Sequence, residues 1–141
     1  MILPDVDVLI YAFRADSPFH ARCRAWLAQA IGGETRFGLS PLTLSAVVRV
    51  TTNRRAFEQP STLDQAFDFC RYLLEQPNCQ RVEPGPAHFG VFRRLCSEAN
   101  VTGPDVTDAW YAALAIEHGC EWITMDRDFA RFPGLRWRMP A

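Results

Sequence analysis

Aspartate is the residue type whose placement in this chain most clearly points to chemistry. Six of the nine aspartates fall into three close pairs, which are Asp5 with Asp7, Asp105 with Asp108, and Asp126 with Asp128. Two carboxylates ~4 Å apart repel each other by about 4 kcal/mol at an effective dielectric constant of about 20, so a fold that gathers such pairs needs a cation or a shared proton to compensate. We therefore expect a metal site assembled from distant parts of the chain.

The composition excludes several other kinds of site. All 15 basic residues are arginine, so there is no lysine to bind phosphate in a Walker-type loop, form a Schiff base or act as a general base. The five cysteines are odd in number and never spaced as C-x-x-C, which predicts buried thiols rather than disulfides or a zinc site. The three histidines have no partner at ligand spacing, and we expect them to be structural.

Length and composition indicate one globular domain over residues 1–141. The hydrophobic fraction of 48% and the charged fraction of 22% are ordinary for such a domain. No apolar run reaches membrane-spanning length and no targeting leader opens the chain, so we expect a cytoplasmic protein without membrane contacts. The net charge of −1 provides no global basic field, so any nucleic acid would have to be held by local groups of arginines.

The strands that must position these aspartates are predicted from runs of apolar residues. The first run predicts a buried strand over Ile2–Tyr11, which would place Asp5 and Asp7 on one face because side chains alternate along a strand. Shorter runs predict four further strands, at Phe37–Leu39, Cys79–Glu83, Glu121–Met125 and Leu135–Met139.

Helical spacing and cap residues predict five helices between these strands. They start at Ser17-Pro18, at Ser40-Pro41, at a Ser61–Asp64 capping box, after Pro84–Pro86, and at Thr107, which would cap a helix over Asp108–His118. Strands separated by helices indicate a three-layer α/β/α sandwich with a short, mainly parallel sheet. Ligands of such sheets bind beyond the carboxyl ends of the strands, where Asp126 and Asp128 are expected.

Each pair of aspartates also has an ordinary structural explanation. An acid in a first helical turn, as expected for Asp108, interacts with the helix dipole by only ~0.3–1 kcal/mol. Asp126 or Asp128 can cap the short segment that follows, and Asp5 or Asp7 can lie solvated at a strand end. The presence of all three pairs in one chain favours a ligand role over these explanations, except for Asp105, for which both stay open.

The order of these segments resembles a PIN domain, specifically the ribonuclease toxins of the VapC kind. Each segment alone is a weak signal, but five in order over nearly the whole chain are a strong one. The segments are LPDVDVLIYA at 3–12, LSPLTLSAVVR at 39–49, DAWYAALAIEHG at 108–119, WITMDRDF at 122–129 and FPGLRW at 132–137.

The resemblance implies a Mg²⁺- or Mn²⁺-dependent endoribonuclease that forms a homodimer and is held inactive by a cognate antitoxin. It places the first, third and fourth family acids on Asp5, Asp108 and Asp126, with Asp128 as a frequent helper. Family members often carry asparagine where this chain has Asp7, so this residue adds a negative charge to the expected site.

One family position departs from the pattern, because the glutamate expected in the second helix is replaced by Ala46. Asp7 or Asp105 could supply the missing carboxylate. Alternatively, the domain is a catalytically weak or inactive PIN-like module that binds RNA or a protein partner. A less favoured alternative is a phosphatase of the haloacid-dehalogenase kind, because Asp5-Val6-Asp7 also resembles the nucleophile motif of that family. The lack of lysine argues against this alternative.

The expected chemistry is hydrolysis of a phosphodiester bond by an activated water. Mg²⁺ keeps several waters in its octahedral shell, so Asp5, Asp108 and Asp126 suffice for one ion. Such an ion lowers the pKa of a bound water and polarises the phosphate, which leaves 3′-hydroxyl and 5′-phosphate ends. Asp128 or Asp7 would orient the water.

Residues around the acids would position RNA and the partner protein. Thr124 and Thr107 are candidates for positioning water or phosphate, and arginines at the rim would hold the RNA backbone. The resemblance also implies an apolar groove for the antitoxin, which we expect near Val47 and Phe67.

Overall fold

The computed structural model describes the whole chain, Met1–Ala141, and shows helices alternating with short strands. The strands are β1 Ile2–Pro4, β2 Phe37–Leu39, β3 Cys79–Arg81, β4 Glu121–Ile123 and β5 Trp137–Arg138. The helices are α1 Val6–Phe13, α2 His20–Ile31, α3 Pro41–Thr51, α4 Leu63–Leu74, α5 His88–Ala99 and α6 Val106–Glu117. Two short 3₁₀ segments, Gly103–Asp105 and Arg127–Arg131, precede α6 and follow β4.

The strands form one parallel, five-stranded sheet in the order β3-β2-β1-β4-β5. β1 lies at the centre, with Ile2 paired to Phe37 of β2 and to Glu121 of β4. One face packs against α5 and α6 around Leu3 and Trp122, and the other packs against α1 to α4 around Phe37. The predicted α/β/α sandwich with a mainly parallel sheet is therefore confirmed.

The predicted strand over Ile2–Tyr11 is wrong beyond Pro4. A helix, α1, begins at Val6, because the Asp5 side chain caps it by accepting the Val6 amide at 2.6 Å. Asp5 and Asp7 are thus a helix cap and a first-turn residue, not two residues on one face of a strand. An apolar run alone does not distinguish a buried strand from a buried helix, and half of α1 is buried, at Val8, Leu9, Ile10 and Ala12.

The capping box of α4 forms one residue later than predicted. Thr62 accepts the Gln65 amide at 3.1 Å, and Gln65 accepts the Thr62 amide at 2.9 Å. The longer glutamine side chain reaches back to the cap, which the aspartate at 64 in the predicted box does less well. The predicted cap Ser61 instead accepts a hydrogen bond from Arg14 at 2.9 Å and ties the loop before α4 to the end of α1.

Other element ends also differ from the prediction. α2 begins at His20 and not at Ser17, whose hydroxyl donates to the backbone carbonyl of Tyr11 at 3.2 Å. The later strands are shorter than expected: β3 ends at Arg81, β4 at Ile123 and β5 at Arg138.

The cysteines and the helices can also be compared with what the composition predicts. All five cysteines are free thiols, of which Cys23, Cys70 and Cys120 are buried and Cys79 and Cys96 are half-buried. No helix has both the length and the apolar character that crossing a bilayer requires.

Candidate active site

Asp5 and Thr124 meet at the carboxyl ends of the two central strands. Pro4 of β1 pairs with Ile123 of β4, so the residues that follow these strands are neighbours. The Thr124 hydroxyl donates to Asp5 Oδ2 at 2.6 Å, and both side chains are buried, with Asp5 8% exposed and Thr124 fully enclosed. This pair forms the floor of the candidate site.

Asp7 approaches the same strand end from the first turn of α1. Its Oδ2 accepts the backbone amide of Met125 at 3.2 Å. Its Oδ1 is buried and has no hydrogen-bond partner. A buried carboxylate oxygen without a hydrogen-bond partner destabilises the folded protein, so the burial of Asp7 Oδ1 requires an explanation.

Asp126 is linked to Asp5 through the side chain of Thr124. The Asp126 amide donates to Thr124 Oγ1 at 3.0 Å, so this hydroxyl links Asp5 to Asp126. Asp126 Oδ1 also accepts the Asp128 amide at 2.9 Å and caps the 3₁₀ segment Arg127–Arg131. The ligand role and the capping role, which were predicted as alternatives for Asp126, are thus compatible. The neighbouring Asp128 is exposed.

Asp108, in the first turn of α6, is held by an arginine that sequence reasoning did not single out. Arg131 Nη2 donates to Asp108 Oδ2 at 2.9 Å, and Arg131 Nη1 lies 3.7 Å from Asp105 Oδ2. Arg131 Nε is buried without a partner. Nothing in the spacing of the sequence indicated this pairing, since the three residues come from two separate segments.

The four auxiliary candidates fall into different environments. Thr124 is central, and Asp7 is half-buried with its Oδ1 enclosed, which makes it the stronger candidate for the role of the missing glutamate. Asp105 is more exposed and faces Arg131, which suits that role less well. Thr107 is exposed in the first turn of α6; the helix begins at Val106, so the predicted cap at Thr107 is wrong.

Burial and mutual repulsion raise the pKa values of the enclosed acids. Burial is the largest cause for Asp5, whose pKa is well above its ordinary value, and the charge of Asp7 raises it further. Burial raises the pKa of Asp7 to about 7, and the charge of Asp126 contributes. Burial also raises the pKa of Asp108, although the guanidinium of Arg131 opposes the rise. Acids crowded in this way favour a cation among them.

The donor set suits a hard divalent cation such as Mg²⁺ or Mn²⁺. It consists of carboxylate and hydroxyl oxygens, which such ions prefer, and the partnerless Asp7 Oδ1 is placed to gain from a cation. In this conformation no three Asp, Glu, His or Cys side chains are arranged to hold one ion, and Asp108 is engaged by Arg131. The residues therefore fit the ion chemically, although this conformation does not bring three of them together around one point.

Hydroxyl groups line the side of the site where the second family acid is missing. Ala46, on α3, is buried. One turn earlier, Thr43 Oγ1 lies 2.9 Å from Ser40 Oγ. Burial raises the pKa of Tyr111 to about 12, with the charge of Asp5 as the next cause, so this hydroxyl stays neutral. Sequence reasoning missed these groups; the only signal was the Ser40 cap with Thr43 three residues later.

The histidines lie apart from the acids and bond to the backbone, in agreement with the structural role expected for them. His20 Nδ1 is 2.7 Å from the Tyr11 carbonyl, His88 Nε2 is 3.0 Å from that of Trp110, and His118 Nε2 is 2.8 Å from that of Glu83.

A separate apolar groove of about 620 Å³ runs between α3 and α4. Phe67, which is exposed, forms part of its wall as predicted, but Val47 is fully buried and faces the core instead. Arg49 and Arg71 flank the groove, and the lining contains no acidic residue. The apolar part of the wall is formed by Leu44, Val48, Leu63, Phe67 and Leu74.

Comparison with known proteins defines the class of this fold and site. Residues 2–135 match the PIN domain family. The chain is 41% identical over 140 residues to Ribonuclease VapC43 of Mycobacterium tuberculosis, covering 99% of this chain and 95% of the relative. It is 40% identical over 140 residues to Ribonuclease VapC25 of the same organism, covering 99% of both. The chain therefore belongs to the PIN domain family, and the resemblance to VapC proteins is confirmed.

Solved structures agree on the fold at much lower sequence identity. The chain superposes with a TM-score of 0.72 on VapBC2 from Rickettsia felis, a complex bound to a promoter DNA fragment, at 15% identity over 99% of this chain and 98% of the other. It superposes with a TM-score of 0.67 on VapC20 from Mycobacterium tuberculosis, described as a sarcin-ricin loop cleaving toxin, at 15% identity over 96% and 99%. The dehalogenase alternative loses its basis, because the chain belongs to a different family.

Proposed function

We propose that this protein is a Mg²⁺- or Mn²⁺-dependent endoribonuclease that acts in the cytoplasm as the toxin of a toxin–antitoxin pair. Its relatives at about 40% identity are named ribonucleases, which supports the substrate class. The observation that carries the proposal is the Thr124 hydroxyl, which ties Asp5 and Asp126 together beside the unpartnered oxygen of Asp7. Asp5 is also the only buried acid of the molecule.

The proposed ligands of the ion are Asp5, Asp126 and Asp108, and Asp7 compensates for the missing glutamate by orienting a water bound to the ion. The ion, when bound, supplies positive charge that activates a water and stabilises the negative charge developing on the phosphate. Thr124 holds Asp5 and Asp126 in fixed positions, so little rearrangement of these two is needed.

The proton of the attacking water needs an acceptor among this chain's own residues. Asp7 Oδ1 is free to accept a hydrogen bond from that water, because no protein group donates to it. Asp128 is exposed at the mouth of the site and is the second candidate for orienting the water. Hydrolysis of this kind leaves 3′-hydroxyl and 5′-phosphate ends on the RNA.

RNA must be held against a group of acids that repels its phosphates. Arg127 and Arg131 lie on the 3₁₀ segment capped by Asp126, and Arg127 is exposed. A guanidinium beside the site can bind a phosphate through two parallel hydrogen bonds and offset the repulsion. These arginines are the candidates for contacts to the RNA backbone.

The proposed protein partners are an antitoxin and a second copy of the chain. Solved neighbours include VapBC complexes and a complex titled toxin–antitoxin from Klebsiella pneumoniae. The groove between α3 and α4 suits an antitoxin segment with apolar residues and a carboxylate, because its wall is apolar and Arg49, which makes no ion pair, flanks it. A homodimer is proposed from the family resemblance.

The experiment that tests this function uses the purified protein with RNA in Mn²⁺ and in EDTA. We expect cleavage in Mn²⁺ that yields 5′-phosphate ends, and none in EDTA. Expression without the neighbouring small reading frame should arrest growth, and co-expression of that frame should relieve the arrest. RNA cleavage that is equally fast in EDTA would show that the proposed chemistry is wrong.

Ala46 favours a second candidate, a PIN-like module with weak or no catalysis. The Ala46→Glu variant separates the two, because it restores a carboxylate to the family position on α3. A weak enzyme should become faster in Mn²⁺ with this substitution. A binding module should bind RNA with or without the ion and cleave it in neither form.

A further inference from the structure

Arg131 is the one cation paired directly with the proposed metal ligands, and it occupies the position of an internal counter-ion. We propose that Arg131 holds Asp108 in the ion-free protein, that a divalent cation displaces it, and that Asp105 then retains the displaced guanidinium. This inference rests on the proposed function, because it assumes that Asp108 is a ligand of the ion.

The geometry of Arg131 supports a role beyond a surface ion pair. Its Nη2 lies 2.9 Å from Asp108 Oδ2, and the two side chains are only 28% and 29% exposed. Its Nε is buried without a partner, and its guanidinium lies 5.0 Å from the centre of the Phe132 ring. A guanidinium held with one donor unsatisfied is not in an optimal structural site, which favours an exchangeable arrangement.

Arg131 and a divalent cation compete for the same carboxylate. The charges of Asp126, Asp105 and Asp128 repel the carboxylate of Asp108, and the Arg131 guanidinium, 2.9 Å from Asp108 Oδ2, offsets that repulsion. A cation with twice the charge at the same place offsets this repulsion more strongly than the guanidinium does. Asp108 can therefore bind the ion only if its ion pair with Arg131 is broken.

Asp105 provides the place to which Arg131 moves. Its Oδ2 is already 3.7 Å from Arg131 Nη1, and its side chain is 58% exposed. The backbone of the 3₁₀ segment is fixed on both sides by Phe129 and Phe132, which are buried. A side-chain rotation alone thus transfers the guanidinium from Asp108 to Asp105, and no backbone movement is needed.

The test measures Mn²⁺ affinity by isothermal titration calorimetry without RNA. Because the competing cation is removed, Arg131→Gln should bind Mn²⁺ about fivefold more tightly, the effect expected for a partly exposed ion pair. Arg127→Gln is the matched control, since Arg127 lies on the same segment, is exposed and makes no ion pair; it should leave the affinity within about twofold. Arg131→Lys, which retains the charge, should stay near the wild type. Unchanged or weaker binding by Arg131→Gln would overturn the proposal.

A double-mutant cycle tests the part assigned to Asp105. Asp105→Asn should weaken Mn²⁺ binding about twofold or more in the wild type, because Arg131 then has only Asp108 as a partner. In the Arg131→Gln background the same substitution should have no effect. Equal weakening in both backgrounds would mean that Asp105 acts on the ion directly, which contradicts the proposed transfer.

The outcomes distinguish failure of this inference from failure of the proposed function. If the wild type cleaves RNA with Mn²⁺ while Arg131→Gln binds the ion no more tightly, only the inference is wrong. If the affinities follow the expected pattern but no RNA is cleaved, only the proposed ribonuclease activity is wrong. If neither protein binds Mn²⁺, both are wrong. Thermal unfolding in EDTA checks that each variant is folded.

Discussion

Thr124 donates its hydroxyl to Asp5 across the carboxyl ends of β4 and β1, over a distance of 2.6 Å. The same oxygen accepts the Asp126 amide at 3.0 Å, so one buried side chain fixes two acids that are 121 positions apart in the chain, from 5 to 126. The parallel pairing of the two strands produces this contact, and the chemistry of the site depends on it.

Thr124→Val should separate these two acids while conserving the shape of the side chain. We expect a loss of about 1–3 kcal/mol in the free energy of unfolding, because a buried carboxylate loses a hydrogen-bond donor. Mn²⁺ affinity should also fall, since Asp5 and Asp126 are no longer held together. Urea unfolding in EDTA and calorimetric titration with Mn²⁺ measure the two effects.

Thr51→Val is the control for this substitution. Thr51 is also fully buried, but its hydroxyl donates to the Val47 carbonyl within α3 and contacts no acid. This variant should leave Mn²⁺ affinity unchanged. Equal loss of affinity in both variants would show that Thr124 acts through general stability and not through Asp5.

The ion-free protein should become more stable as the pH falls from 8 to 5. Burial raises the pKa of Asp7 to about 7 in the folded protein, while in the unfolded chain it is near 3.8. The folded state therefore binds the extra proton in this window, and the stability is lost as the pH rises through about 7. For this one group the change amounts to about 2–3 kcal/mol between pH 8 and pH 5.

Asp7→Asn should remove the part of this pH dependence that Asp7 contributes in EDTA, because an amide does not titrate. It should also be more stable than the wild type at pH 8, since its amide oxygen still accepts the Met125 amide without a buried charge. Thermal unfolding across the pH range, followed by circular dichroism, measures both effects. An unchanged slope in the variant would mean that Asp7 is not the titrating group.

Gly38 is predicted to be essential for the packing of β2 against its neighbours. A Cβ atom built at this position would lie 2.5 Å from Leu3 Cδ2 and 2.6 Å from Val82 Cγ2, so both buried side chains would have to move. Gly38→Ala should therefore lower the free energy of unfolding by about 1–3 kcal/mol, the usual cost of overpacking. Chemical denaturation in urea is the measurement.

Gly90→Ala is the opposite case. Gly90 is in α5, is exposed and has open space around the added Cβ atom. Alanine favours the helix, so this variant should gain about 0.5–1 kcal/mol. Destabilisation by Gly90→Ala, or tolerance of Gly38→Ala, would show that the packing described for these positions is wrong.

The sequence was sufficient to predict a parallel sheet, but not the bounds of its strands or the local placement of the acids. Parallel strands and the position of Asp126 after β4 followed from apolar runs and connection lengths. The helix at Val6–Phe13 could not be predicted in this way, because a continuous apolar run lacks the alternation of apolar and polar residues that distinguishes a strand from a helix. Arg131 was not identified either, since its pairing with Asp108 depends on how the 3₁₀ segment turns back towards α6.

The most direct test of the central claim is the rate of RNA cleavage in Mn²⁺ by Asp126→Asn. An asparagine at 126 can still accept the Asp128 amide and cap the 3₁₀ segment, so the fold is retained while the charge is lost. Asp64→Asn, which removes an exposed charge from the first turn of α4, is the control. We predict that Asp126→Asn loses about a thousandfold in rate or more, corresponding to about 4 kcal/mol, and that the control keeps the wild-type rate. Cleavage by Asp126→Asn at the wild-type rate would contradict the assignment of these acids to a metal-dependent nuclease site.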